Sequence, residues 1–171
     1  ELESNQRAAL ALVRSQAAES QRQALAGVRQ RFQSLGYGER ELQAVMGWVQ
    51  DLAPIIIHVD IDSCGHFFES DDYYRSQFET KTGKGEGEDP KTNNVRRGWE
   101  HDMFGGLYDD ATPFERVKYG ALNIMNDYRG VKAASRYGDS YLVLKDVRLR
   151  STFAAEDSAG LSVKRLGVPN S

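Results

Sequence analysis

Pro54-Ile55-Ile56-Ile57-His58-Val59-Asp60-Ile61-Asp62 divides this chain in two. Three consecutive isoleucines, then His58 and Val59, read as a buried strand, because branching at Cβ fits a pleated surface and restricts a helix. Pro54, just before them, lacks the amide hydrogen that a preceding helix needs in order to continue. Upstream the spacing is helical. Between Asn5 and Leu35 the apolar residues Leu10, Val13, Ala17, Ala24, Val28, Phe32 and Leu35 recur at steps of three, four or seven, with Arg and Gln between them. Gly36 stands where a C-cap glycine belongs, and Gly38 prolongs the break. A second helix is predicted from about Glu39 to Leu52, burying Leu42, Val45, Met46 and Val49. The first helix is long for so narrow a stripe, so it either packs on the core as a bundle arm or offers a face to a partner.

Downstream the period changes to two. Tyr73-Tyr74-Arg75-Ser76-Gln77-Phe78-Glu79-Thr80-Lys81-Thr82 alternates, with Tyr74, Ser76, Phe78 and Thr80 on one side and Tyr73, Arg75, Gln77 and Glu79 on the other. It reads as a half-buried strand. Thr82 to Arg97 carries Gly83, Gly85, Gly87, Pro90, Asn93 and Asn94 among charges and reads as a long mobile loop of the kind used for lids. Trp99 to Tyr108 sets aromatics around Gly105 and Gly106. Further strands are predicted at Val117–Met125, Ser140–Leu144 and Leu149–Phe153, and the polar tail Val163–Ser171 is expected to fray. The fold class is α+β: N-terminal helices over residues 1–53, then a mostly antiparallel β core over 54–171, together one compact domain.

With 171 residues the chain can bury one core but hardly two. A 27% charged, 40% hydrophobic composition fits a globular protein, and a net charge of -3 argues against a nucleic-acid surface. No apolar run approaches the roughly 20 residues of a membrane span, and no cleavable signal pattern stands at the N-terminus. The single cysteine, Cys64, excludes an intramolecular disulfide and a multi-cysteine metal site; with no evident activating partner it reads as a buried or incidental thiol rather than a nucleophile.

Three groups of residues can carry chemistry. On an extended strand His58, Asp60 and Asp62 share a face, and a histidine with carboxylates can hold a divalent metal for hydrolysis. His66 and His101 are isolated, however, so the remaining ligands are missing and no metal is expected. Arg75 can grip a phosphate or carboxylate in a bidentate fork, or simply pair with Glu79 across a solvated face. Phe104-Gly105-Gly106 lets backbone approach a ligand beside a ring that can stack, or it is a core aromatic next to a turn. Near the end, Glu156-Asp157 offers a carboxylate whose field can stabilise a cationic transition state.

Taken in order, Tyr74-Arg75-Ser76-Gln77-Phe78-Glu79-Thr80, Trp99-Glu100, Phe104-Gly105-Gly106-Leu107-Tyr108-Asp109, Tyr119-Gly120-Ala121-Leu122-Asn123, Arg136-Tyr137-Gly138-Asp139-Ser140 and Thr152-Phe153 with Asp157-Ser158 resemble a specific family. It is the CteC-type bacterial effector mono-ADP-ribosyltransferases, which modify a threonine of ubiquitin, together with the bacterial domain family of formerly unknown function that contains them. The resemblance covers about Ile55 to Ser158. His58-Val59-Asp60-Ile61 departs from the His-Pro-Asp-Arg of many relatives. The resemblance implies a β core of ADP-ribosyltransferase type and NAD as substrate. It also implies a hydroxyl side chain of ubiquitin or another host protein as acceptor, and a secreted effector acting in the host cytosol. Arg75 then anchors the pyrophosphate or ribose and Phe104 stacks on the nicotinamide. Tyr119 and Asn123 line the nicotinamide pocket, and Arg136 gives a second phosphate or partner contact. The carboxylate is Glu156, ahead of Asp157 and Glu79. The competing readings are a metal-assisted hydrolase built on His58, Asp60 and Asp62, and a non-enzymatic module whose long helix grips a partner.

Overall fold

The computed structural model describes residues 2–70, 72–80 and 90–169 of the chain. Its first element is the helix α1, Ser4–Ser34. Gln6 accepts the Glu3 amide hydrogen at 3.0 Å at its start. At its end Gly36 adopts φ +81°, which a side chain would resist, while the amides of Leu35, Gly36 and Tyr37 return to carbonyls of Arg31 to Gln33. Only the N-terminal half of the predicted stripe is buried. Ala9, Val13 and Ala17 are inside, whereas Ala24 and Val28 of the far half stay exposed; there the next helix meets α1 through the Arg29–Glu39 ion pair at 2.8 Å. The second helix, α2 (Glu39–Gly47), passes into a single wider turn, Trp48–Leu52, just ahead of Pro54. Of its four predicted core residues Leu42 is buried, Met46 and Val49 are half-buried and Val45 is exposed.

Ile55–Val59 forms β1, the centre of a three-stranded antiparallel sheet with β2 (Ala121–Leu122) on one side and β3 (Ser140–Val143) on the other. Ile56 faces Ala121 in one neighbour and Val143 in the other. Approach to β3 requires a glycine at 138. With φ +152°, a Cβ there would sit 1.9 Å from the Val59 carbonyl oxygen. The strand stops at Val59 because Asp60 turns to cap the next helix, α3 (Ile61–Ser70), its carboxylate accepting the Ser63 amide hydrogen at 3.3 Å.

The Tyr73–Thr80 stretch is not a strand. Tyr73 to Ser76 is irregular, and Gln77–Thr80 makes one helical turn, α4. Ser76-x-x-Glu79 supplies the reason: the Glu79 carboxylate accepts the Ser76 amide hydrogen at 2.6 Å, the N-terminal arrangement of a capping box, and this local bonding overrides the alternation. The alternation still marks the inner side, since Ser76 and Phe78 are buried. Lys81, Thr82 and the glycine-rich run to residue 89 lie outside the described residues. The second half of the predicted loop, from Pro90, belongs instead to α5, Pro90–Phe104, which opens on a proline. Of Val117–Met125 only Ala121–Leu122 pairs. Leu149–Phe153 is replaced by a turn at Arg148–Arg150 and one bridge, Phe153 to Gly167.

That bridge ties down the tail expected to fray as far as residue 169; residues 170–171 lie outside the described residues. Leu161, Leu166 and Val168 join Met103, Phe104 and Tyr108 from the end of α5 and its following turn, and Ala9 and Val13 of α1 close the same core cluster. The observed class is therefore α+β, with N-terminal helices and a small antiparallel sheet, and the core is shared between the chain's two ends. Among the described residues no helix is long and apolar enough to cross a membrane.

Candidate functional site

Between β1, α4 and the front of α5 lies a cavity of about 100 Å³. An apolar cavity of roughly 150 Å³ accepts benzene, so this partly open space suits one small ring and nothing the size of a dinucleotide. Ile57 and His58 form its floor, and Tyr119-Gly120-Ala121 one wall. Gln77, Phe78, Arg96 and Trp99 form the opposite side, and Asp157 and Ser158 the lip. A second hollow shares His58, Tyr74, Gln77 and Tyr137 with the first and continues to Arg75, Phe67, Cys64 and Asp60. The two make one groove over the end of the sheet.

His58 on the floor is 6% exposed and fully committed. The Val131 amide hydrogen is donated to Nε2 at 3.0 Å, so the ring proton sits on Nδ1 and is donated to the Gly138 carbonyl at 2.9 Å. Neither nitrogen has a lone pair left for a metal. Asp60 caps α3, and Asp62, inside that helix, is exposed, so the shared strand face expected for His58, Asp60 and Asp62 does not form. Among the described residues no cluster of three or more His, Cys, Asp or Glu could hold a metal.

The wall is braced from behind by a buried ion pair. Arg116 donates to Glu100, each side chain 1% exposed, and Arg116 also reaches the Asp109 carbonyl at 3.3 Å. Tyr119 Oη donates to the other Glu100 oxygen at 3.4 Å. Burial pushes the Glu100 carboxyl upward against the opposing pull of Arg116, and burial with Glu100 nearby pushes the Tyr119 hydroxyl far above its ordinary range. Tyr119 is thus a fixed, neutral wall. Arg96, 5% exposed, lies with Cζ 5.6 Å from the Tyr119 ring centre and 5.7 Å from that of Trp99.

The predicted site residues separate. Tyr119 and Asp157 line the main cavity and Arg75 the adjoining hollow, its guanidinium 4.9 Å over Phe67. Arg136 stands at the lip, exposed, 3.5 Å from Asp157 Oδ2 and bonded to Tyr137 Oη at 2.8 Å. The others are elsewhere. Phe104 is 3% exposed in the core, edge-on to Tyr108 at 5.1 Å, because the C-terminus of α5 turns inward onto α1; it has no free face for a ligand. Glu79 caps its own turn rather than facing Arg75's partner site. Glu156 points away and pairs with Arg165, both more than half exposed, so Asp157 is the carboxylate the groove receives. Asn123, 3% exposed, holds a turn: it donates to the Asp127 carbonyl at 2.9 Å and accepts the Asp127 amide hydrogen at 3.1 Å. Asn123→Ala should accordingly lose about 1–3 kcal/mol in a urea melt, the net worth of two hydrogen bonds, without affecting ligand binding.

Sequence reading missed Arg96, Gln77, and the Glu100–Arg116 brace. The signal for Arg96 is its place three residues before Trp99 and four before Glu100, which puts all three on one side of a helix but says nothing while the segment is read as a loop.

The family profile described as Protein of unknown function (DUF3626) matches residues 63–168. The chain belongs to this family. No curated protein matches it. The DUF3626 stretch carries Arg75, Gln77, Arg96, Trp99, Tyr119 and Asp157, that is, most of the groove. The floor residues Ile57 and His58 come from β1 ahead of it, and Ala9 and Val13 of the core come from α1.

Proposed function

We propose that the protein is an NAD-dependent mono-ADP-ribosyltransferase that modifies a hydroxyl side chain of another protein, with a threonine of ubiquitin as the acceptor and a host cell as the place of action. The observation that carries this reading is convergence: Arg75, Tyr119 and Asp157, spread over more than eighty positions, line one groove. The sheet core would then be a reduced version of the ADP-ribosyltransferase type. The inner end fits a ring of nicotinamide size beside Tyr119, and the rest of NAD would lie along the open groove toward Arg75.

The chemistry asks little of the protein beyond positioning and charge. The bond from ribose C1′ to the nicotinamide nitrogen breaks, and nicotinamide leaves with the bonding pair as a neutral molecule. The acceptor oxygen bonds C1′ and its proton passes to solvent. Asp157, at the lip, supplies negative charge where the ribose becomes cationic. Arg75 supplies a fork for a phosphate. His58 is excluded as the base because Val131 occupies its lone pair.

The test is nicotinamide release from NAD by purified protein. Asp157→Asn keeps shape and removes charge, so the rate should fall a hundredfold or more, about 2.7 kcal/mol, with NAD affinity nearly unchanged. Glu156→Gln should release nicotinamide at the parental rate. Normal turnover in Asp157→Asn with a dead Glu156→Gln would reverse the two roles, and no release from the unaltered folded protein would end the reading.

A further inference from the structure

We propose that Gln77 is the specificity-determining residue of the main cavity, selecting a neutral aromatic carboxamide by pairing with its amide. The turn α4 holds Gln77 in place. Its neighbours Ser76 and Phe78 are both buried, the Ser76 hydroxyl donates to the Pro113 carbonyl at 2.8 Å, and Glu79 caps the turn. Gln77 lines the main cavity and the adjoining hollow alike. Its Oε1 is buried and has no hydrogen-bond partner among the described residues. Such atoms are rare, because a buried acceptor left unmatched costs stability, and they concentrate where function rather than folding sets the residue. The polar side chains of the cavity's floor and wall are otherwise matched: both His58 nitrogens are bonded, and the Tyr119 hydroxyl donates to Glu100.

The missing partner's chemistry follows from the side chain itself. Glutamine sets one acceptor, Oε1, beside one donor, Nε2. A primary carboxamide offers the same two groups in reverse order, so the two amides pair through two hydrogen bonds. A carboxylate has acceptors only and would bring lone pairs and charge against Oε1, while a bare ring would leave Oε1 unmatched. Phe78, Trp99 and Tyr119 line the same cavity, whose volume of about 100 Å³ suits one small ring. That the ring is nicotinamide rests on the transferase reading; the choice of a carboxamide over a carboxylate does not.

Nicotinamide is the probe and nicotinate its carboxylate counterpart, each titrated into the full chain by ligand-observed NMR at neutral pH. The unaltered protein should bind nicotinamide saturably and nicotinate at least tenfold more weakly. Gln77→Met keeps the length of the side chain and removes both polar atoms. It should weaken nicotinamide binding about tenfold, erase the preference over nicotinate, and melt at or above the parent because the unmatched acceptor is gone. A glutamine that served only the fold would instead lower the melting temperature. The proposal is overturned by an unaltered protein that does not bind nicotinamide or binds the two probes alike. It is equally overturned by a Gln77→Met variant that binds nicotinamide as the parent does, melts well below it or fails to fold. Cleavage of NAD is scored separately. Gln77-dependent nicotinamide binding without cleavage keeps this site and removes the transferase, whereas cleavage with nicotinamide binding indifferent to Gln77 does the opposite.

Discussion

Phe104→Ala is expected to destabilise the protein by about 3–5 kcal/mol, the range for emptying a large aromatic from a packed core. The ring lies between the first turns of α1 and the C-terminal segment, edge-on to Tyr108, and neither segment can collapse into the space without breaking its own contacts. Any loss of NAD use in this variant should follow the unfolded fraction and vanish at temperatures where the variant is folded. A variant that melts like the parent but no longer uses NAD would put the ring back in the groove as a stacking surface. Phe104→Leu should retain more stability than Phe104→Ala, since volume rather than a ring face is what the core requires.

Arg116→Met should be as costly at neutral pH, about 3–5 kcal/mol, because it strands the Glu100 carboxylate in a site that is 1% exposed. Burial already pushes that carboxyl up, and without the guanidinium it rises further. A carboxyl whose folded value lies above the unfolded one, about 4.3 for glutamate, destabilises above the unfolded value and is harmless below it. The loss should therefore be largest near neutral pH and shrink as pH falls toward about 4, when Glu100 takes up a proton. Adding Glu100→Leu should restore most of the stability, because replacing both members of a buried pair with apolar residues is often neutral. Urea melts of parent, single and double variants at both pH values check this. If single and double variants are equally unstable at neutral pH, Glu100 carries no stranded charge there.

How far the sequence disclosed this arrangement depended on which force dominated locally. Where burial and spacing agree the reading holds: β1 from its isoleucines, α1 from its stripe and Gly36, and β3 near Ser140 all stand within a residue or two. Where a side chain bonds its own backbone, hydrophobic period misleads. Glu79 caps Ser76, and a strand pattern becomes a helical turn. Long-range closure was invisible too. The polar look of Val163–Ser171 hides Leu166 and Val168, which are buried only because α1 and α5 wait for them. For the site, a residue type with two plausible uses could not be resolved without knowing its neighbours. Phe104 and Asn123 proved to be packing and turn residues, Asp157 rather than Glu156 reached the groove, and Arg75 and Tyr119 lie in adjoining hollows. Arg96 went unnoticed because its helix opens after a glycine-rich run, and composition there outweighed the Arg-x-x-Trp-Glu spacing.

The claim that the groove transfers ADP-ribose to protein is tested most directly by incubating the purified full chain with ubiquitin and NAD labelled in its adenylate half, then locating the label by mass spectrometry. The account predicts ADP-ribose on a threonine of ubiquitin, lost in Asp157→Asn and retained in Glu156→Gln. Ubiquitin left unlabelled beside intact NAD, with a folded enzyme and a lysate that also takes up no label, would contradict it.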